Sequence, residues 1–83
     1  MTTEQIKQII RNAYLVDVED VKVEMTIEQN FEPLPNAKYA LVSCHWRNDL
    51  WFYVIAQRDG ETPSAYYMGT NKAEGRLFMS HLI

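Results

Sequence analysis

Eighty-three residues leave room for one hydrophobic core, so residues 1–83 are read as a single domain. A composition of 47% hydrophobic and 23% charged residues is near the globular average and excludes a disordered chain. A net charge of −3 and one cysteine, Cys44, argue against a nucleic-acid-binding arm and a disulfide scaffold, and place the expected setting in the cytoplasm.

The segment from Thr2 to Val16 predicts a helix. Thr2 and Gln5 have the spacing of a capping box, and Ile6, Ile9, Ile10 and Ala13 recur at helical intervals, with Tyr14 and Val16 extending the apolar surface. Lys7, Gln8, Arg11 and Asn12 occupy the other side, so the helix is expected to lie with one face on a sheet.

From Val21 the period changes to two. Val21, Val23, Met25 and Ile27 fall on one side of a predicted strand, with Lys22, Glu24, Thr26 and Glu28 on the other, a pattern suited to a half-exposed edge. Residues 17 to 32 hold six acidic side chains, among them Asp20, Glu24 and Glu28, against Lys22 alone; that stretch carries −5 and the remainder +2. The asymmetry points to a surface that attracts a basic partner or to a solvated edge that keeps the chain soluble. Gln29 to Ala37, with Pro33 and Pro35, reads as a loop.

Lys38 to Trp46 and Leu50 to Gln57 read as two strands of a hairpin. A two-residue turn at Asn48 and Asp49 would set Trp46 opposite Trp51, Cys44 opposite Tyr53 and Val42 opposite Ile55. The reverse face would pair His45 with Phe52, Ser43 with Val54 and Leu41 with Ala56, so neither face is polar. Asp59-Gly60 is a turn signal, and Ser64 to Thr70 reads as a fourth strand, an edge because of Pro63 and Gly69. A tight turn would put Tyr66 beside Tyr53 and Met68 beside Trp51; a longer loop with an odd slip would exchange the faces. Asn71 with Glu74 caps a short helix through Leu77, Phe78, His81 and Leu82, favoured over a fifth strand although Gly75 weakens it.

The expected fold is therefore α+β: an N-terminal helix packed on a four-stranded antiparallel meander of order 1-2-3-4, with a short C-terminal helix. One confident helix cannot cover two apolar faces. The C-terminal segment, a second copy making a homodimer, or a partner protein must cover the other.

Recognised catalytic and cofactor motifs are absent from the sequence, and no cofactor is expected. Cys44, His45 and His81 are too few for a structural zinc site. Cys44 and His45 point to opposite faces as strand neighbours, though His81 could reach either through tertiary folding. Glu24 and Glu28 on one side of a strand would stand about 13 Å apart at 3.3 Å per residue, too far for a glycosidase pair. The function expected is a non-catalytic protein-binding domain, a small inhibitor or adaptor such as those phages direct against bacterial defence systems. Its expected surface is Trp46, Trp51, Tyr53, Tyr66 and Met68 together with Asp20, Glu24 and Glu28. The alternatives are a small-ligand or enzymatic pocket between helix and sheet holding Tyr53, Tyr67, Cys44 or His45, and single-stranded nucleic-acid binding through the sheet aromatics. Scattered lysines and arginines argue against the last.

Overall fold

The computed structural model describes residues 1–30 and 35–82. The elements run α1 (Thr3–Tyr14), β1 (Glu19–Gln29), β2 (Ala37–Trp46), β3 (Asp49–Arg58), β4 (Ser64–Tyr67) and α2 (Lys72–Ser80). The strands form one antiparallel sheet of order β1-β2-β3-β4, as the sequence predicts. Glu32 and Pro33, within the predicted acidic stretch and loop, lie outside the described residues. No helix among the described residues is long and apolar enough to cross a membrane.

Helix α1 starts where the capping box requires. Thr2 Oγ1 accepts from the Gln5 N–H at 3.2 Å, and Gln5 Oε1 accepts from the Thr2 N–H at 2.8 Å. It ends two residues earlier than predicted because Leu15 turns into the left-handed region at φ 59°, its N–H donating to the Arg11 carbonyl. Ile6 and Ile10 are buried against Val42, Cys44, Tyr53, Ile55 and Ala65, each contributing about 1.5–3 kcal/mol by leaving water. The other sheet face, with Tyr39, Leu41, Phe52 and Val54, is covered by Phe78 and Met79 of α2 and by Leu82 just beyond it. Of the three candidate covers, the C-terminal segment takes the second face, and the aromatic face is the one beneath α1.

Both predicted registers change. The hairpin turns at Arg47 and Asn48, with φ of 51° and 67°, so Cys44 pairs with Trp51, Val42 with Tyr53 and Ala40 with Ile55. On the reverse face His45 pairs with Leu50, Ser43 with Phe52 and Leu41 with Val54. This is a two-residue slide from the expected pairing. It leaves every side chain on its face, so the hydrophobic pattern cannot distinguish the registers and turn chemistry decides. Before β4 the chain does not fold back directly at Asp59-Gly60. The Asp59 N–H donates to the Asn36 carbonyl and extends the β2–β3 pairing, and β4 enters one residue later than a tight turn allows. Tyr53 therefore faces Tyr67, while Tyr66 pairs with Val54 on the α2 side.

Strand β1 departs from simple alternation. Its pairing with β2 shifts between Glu19 and Lys22 and again between Val23 and Met25, two β-bulges that also blunt this exposed edge. Val21 consequently joins the core under α1, whereas Ile27 joins the core under α2. The second bulge brings Met25 and Ile27 to the α2 side that Glu24 already occupies by alternation from Val23, and there the Glu24 carboxylate accepts from Ser43 Oγ at 2.9 Å and from Lys72 Nζ at 3.0 Å. Those two donors, the Lys72 ammonium first, hold the Glu24 carboxyl below its ordinary value of 4.5.

Gly75 sets how closely α2 approaches. A Cβ there would collide with Cδ1 of Leu41, a fully buried side chain on β2. Gly75→Ala gains up to about 1 kcal/mol of helix propensity but overpacks this contact at about 1–3 kcal/mol. Net loss of stability in urea denaturation is expected in the wild type. In a Leu41→Ala background the same change should become stabilising; loss in both backgrounds would refute the contact.

Because its carboxyl is depressed in the folded state, Glu24 contributes stability that is present above its ordinary value and disappears as pH falls through the folded one. The stability difference between wild type and Glu24→Gln should be measurable at pH 7 and shrink steadily below about pH 4.5. A difference that persists unchanged at pH 3 would show that the carboxylate charge is not its source.

Candidate functional site

The end of the molecule around the Arg47-Asn48 turn carries a continuous row of aromatic rings. Trp46 and Trp51 meet edge to face with centroids 4.9 Å apart, as do Tyr53 and Tyr14 at 5.3 Å, and Tyr67 joins the two pairs through tilted contacts with Trp51 at 4.8 Å and Tyr53 at 5.5 Å. Offset and edge contacts of this kind add roughly 0.5–1.5 kcal/mol each beyond area burial. Three elements are tied together here, because Tyr14 Oη at the last turn of α1 accepts the Tyr67 backbone N–H at 2.7 Å. Trp51 Nε1 is buried with no acceptor among the described residues, so its ring is positioned by its aromatic neighbours.

The row changes character along its length. Tyr53 is buried beneath α1, Trp46 and Trp51 are half-buried, and Tyr14 and Tyr67 are 41% and 39% exposed. Leu15, next to Tyr14, is 81% exposed. At the outer end the Arg47 guanidinium lies over the Trp46 ring, 4.5 Å from its centroid. Since α1 stops at Tyr14, the sheet projects past it and these rings are only partly roofed.

The structure brings Trp46, Trp51 and Tyr53 together and places the other two expected residues elsewhere. Tyr66 and Met68 lie on the α2 side, where Met68 packs on the second core. The odd register of β4 puts Tyr67 in their place. Tyr14 completes the row from outside the sheet, four residues after Ile10 and therefore on the same helical stripe.

The three expected acidic residues do not form one patch. Asp20 lies 3.5 Å from His45 Nδ1, Glu24 is turned inward to Lys72 and Ser43, and Glu28 is 3.8 Å from Lys38 Nζ on the α1 side. Asp17 is likewise held by Arg11 at 2.6 Å. The bulge between Val23 and Met25 is what separates Glu24 and Glu28, which simple alternation would leave on one side.

The groups considered for catalysis are set apart. Cys44 is fully buried on the α1 side, its thiol donating to the Trp51 carbonyl at 3.6 Å, and burial pushes it up to about 11. His45 is exposed on the opposite face, and His81 caps α2 across the sheet, so neither can act as a base for this thiol. Burial likewise pushes the Tyr53 phenol up to about 12. A cavity of about 250 Å³ between helix and sheet opens at the other end of α1, floored by Ile6, Ala40 and Ile55 and edged by Glu28, Lys38 and Gln57. None of Tyr53, Tyr67, Cys44 or His45 lines it. Among the described residues no three His, Cys, Asp or Glu side chains are grouped to hold a metal ion.

A buried thiol with a raised pKa should be inert. Cys44 in the folded protein at pH 8 is expected to react with a thiol-specific disulfide reagent at least a hundredfold more slowly than in 8 M urea. Comparable rates in the two conditions would mean that Cys44 is reached in the native state.

Comparison with protein-family models, curated proteins and solved structures finds no match to this chain, so the functional reading rests on the geometry above.

Proposed function

We propose that this is a non-catalytic binding domain that docks onto another protein through the aromatic end of its sheet, in the manner of a small inhibitor or adaptor. The observation that carries the reading is the half-exposed row formed by Trp46, Trp51, Tyr67 and Tyr14. Tryptophan, tyrosine and arginine dominate binding energy at protein interfaces; the two aromatic residues combine a large apolar area with a polar handle and lose little side-chain entropy per unit of area. Here such side chains project past the end of α1.

Two further features support the reading. The Cys44 thiol is buried and both histidines are set apart from it, so no Cys–His pair forms among the described residues. The row is also held from beneath by Tyr53, which is buried and locked by rings on two sides, so a docking partner would meet preorganised side chains. Carboxylates at this end, among them Asp49 opposite Trp46, oppose a nucleic-acid phosphate backbone.

Both tryptophans lie in the row, so their emission reports on the site directly. In a sample shown to be monomeric by sedimentation, we expect acrylamide to quench that emission efficiently. Protected, blue-shifted tryptophans in a monomer would refute a free docking surface. Protection lost on dilution, in step with dissociation, would also refute it and assign the row to contact with a second copy.

A further inference from the structure

The outer ring of the row already holds a cation. Arg47 reaches the Trp46 face from the first central position of the hairpin turn, at φ 51°, a conformation that costs a residue with a Cβ about 1 kcal/mol. Among the described residues, the other non-glycine positions with positive φ are Leu15, Asp20 and Asn48. They sit after α1, at the start of β1 and in the same turn, so all four gather at this end of the molecule. Backbone strain of this kind tends to collect at functional sites.

Carboxylates without a lysine or arginine partner stand at this end of the sheet, Asp49 on the face of the row and Glu19 and Asp20 beside His45 on the other face. Asp49 is the direct cross-strand partner of Trp46, and Glu19 is the partner of the neighbouring His45. Neither makes an ion pair among the described residues, and Asp20 has only His45. Arg11 is engaged by Asp17, which leaves Arg47 as the cation on the rings. Aromatic faces are the negative pole of the ring quadrupole, and nearby carboxylates add to that field.

We infer that the row formed by Trp46, Trp51, Tyr67 and Tyr14 is a receptor for cationic side chains of a partner protein, arginine above all, with Arg47 as its resident occupant. The inference rests on the docking role proposed above and names the partner's chemistry. A guanidinium is planar, weakly hydrated and stacks on indole, so it gives up less water than an ammonium on reaching the same ring. The Asp49 carboxylate on the face of the rings, with Glu19 and Asp20 at longer range across the sheet end, steers a basic surface toward the rings and turns an acidic one away.

The test uses acetylated, amidated hexaarginine as probe, read by tryptophan emission, with hexalysine and hexaglutamate of the same form beside it. Arg47→Gly vacates the Trp46 face and takes φ 51° without strain, so it should fold and bind hexaarginine several-fold more tightly than wild type. Arg76→Gln on α2 changes net charge equally at a distance and serves as the charge control. Trp46→Leu, with Trp51 as remaining reporter, should weaken binding about tenfold; hexalysine should bind more weakly than hexaarginine, and hexaglutamate not at all.

Equal tightening by Arg47→Gly and Arg76→Gln would reduce the effect to net charge and overturn the inference. So would emission that ignores hexaarginine while acrylamide still reaches the rings. In that second case the docking surface survives and only its chemistry is wrong, whereas protected tryptophans in the wild type would remove both.

Discussion

The structure depends on a hairpin that cannot be left wet on either side. Strands β2 and β3 bury Val42, Cys44, Tyr53 and Ile55 on one face and Leu41, Phe52 and Val54 on the other. Burying such side chains provides most of the stability available to a chain of this size, so both faces need a cover. Helix α1 supplies one and α2 the other, and each is adapted to its seat: α1 with an isoleucine stripe, α2 with Gly75 where Leu41 comes close. The end of α2 is held as well, since Gln29 Nε2 donates to the Leu82 carbonyl at 2.6 Å.

The edge strand shows how little backbone is needed to redistribute chemistry. Each β-bulge shifts side-chain parity by one. Through the second, Met25 and Ile27 leave the face of Val21 and Val23, and Glu28 goes to the α1 side while Glu24 stays on the other, in a network with Lys72 and Ser43. A stretch that reads as a block of negative charge thus becomes largely a set of local ion pairs, Asp17 with Arg11, Glu24 with Lys72 and Glu28 with Lys38, while Asp20 lies against the His45 imidazole. Its long-range field is correspondingly small. Unpaired charge at the aromatic end of the sheet belongs, among the described residues, to Asp49 on the face of the row and Glu19 on the other face.

That row joins core and surface in one series of contacts. Tyr53 anchors it under α1, and the rings become more accessible outward to Trp46, where Arg47 closes the series. A site built this way is rigid because its innermost member is part of the core. It is also available, because α1 ends at Tyr14 while the sheet continues. The left-handed conformations of Leu15 and Arg47 display an apolar side chain at one end of the row and a cation at the other.

The sequence by itself determined the fold class, the number and order of the elements, and the identity of most of the core. Those follow from local signals: the Thr2–Gln5 capping box, the 3.6-residue recurrence of Ile6 and Ile10, and the apolar runs of β2 and β3. It also placed Trp46, Trp51 and Tyr53 on one face, because side-chain parity survives a two-residue slide of the hairpin. Tertiary structure alone decided that Tyr67 rather than Tyr66 joins them, that Glu24 and Glu28 part company, and that α1 lies over the aromatic face. Each of these turns on a one-residue shift, in the loop before β4 or in the bulges of β1, or on a choice between two equally apolar faces. Period and composition are unchanged by such shifts, whereas hydrogen bonds between segments distant in the chain, such as Asp59 to Asn36 and Tyr67 to Tyr14, select among them.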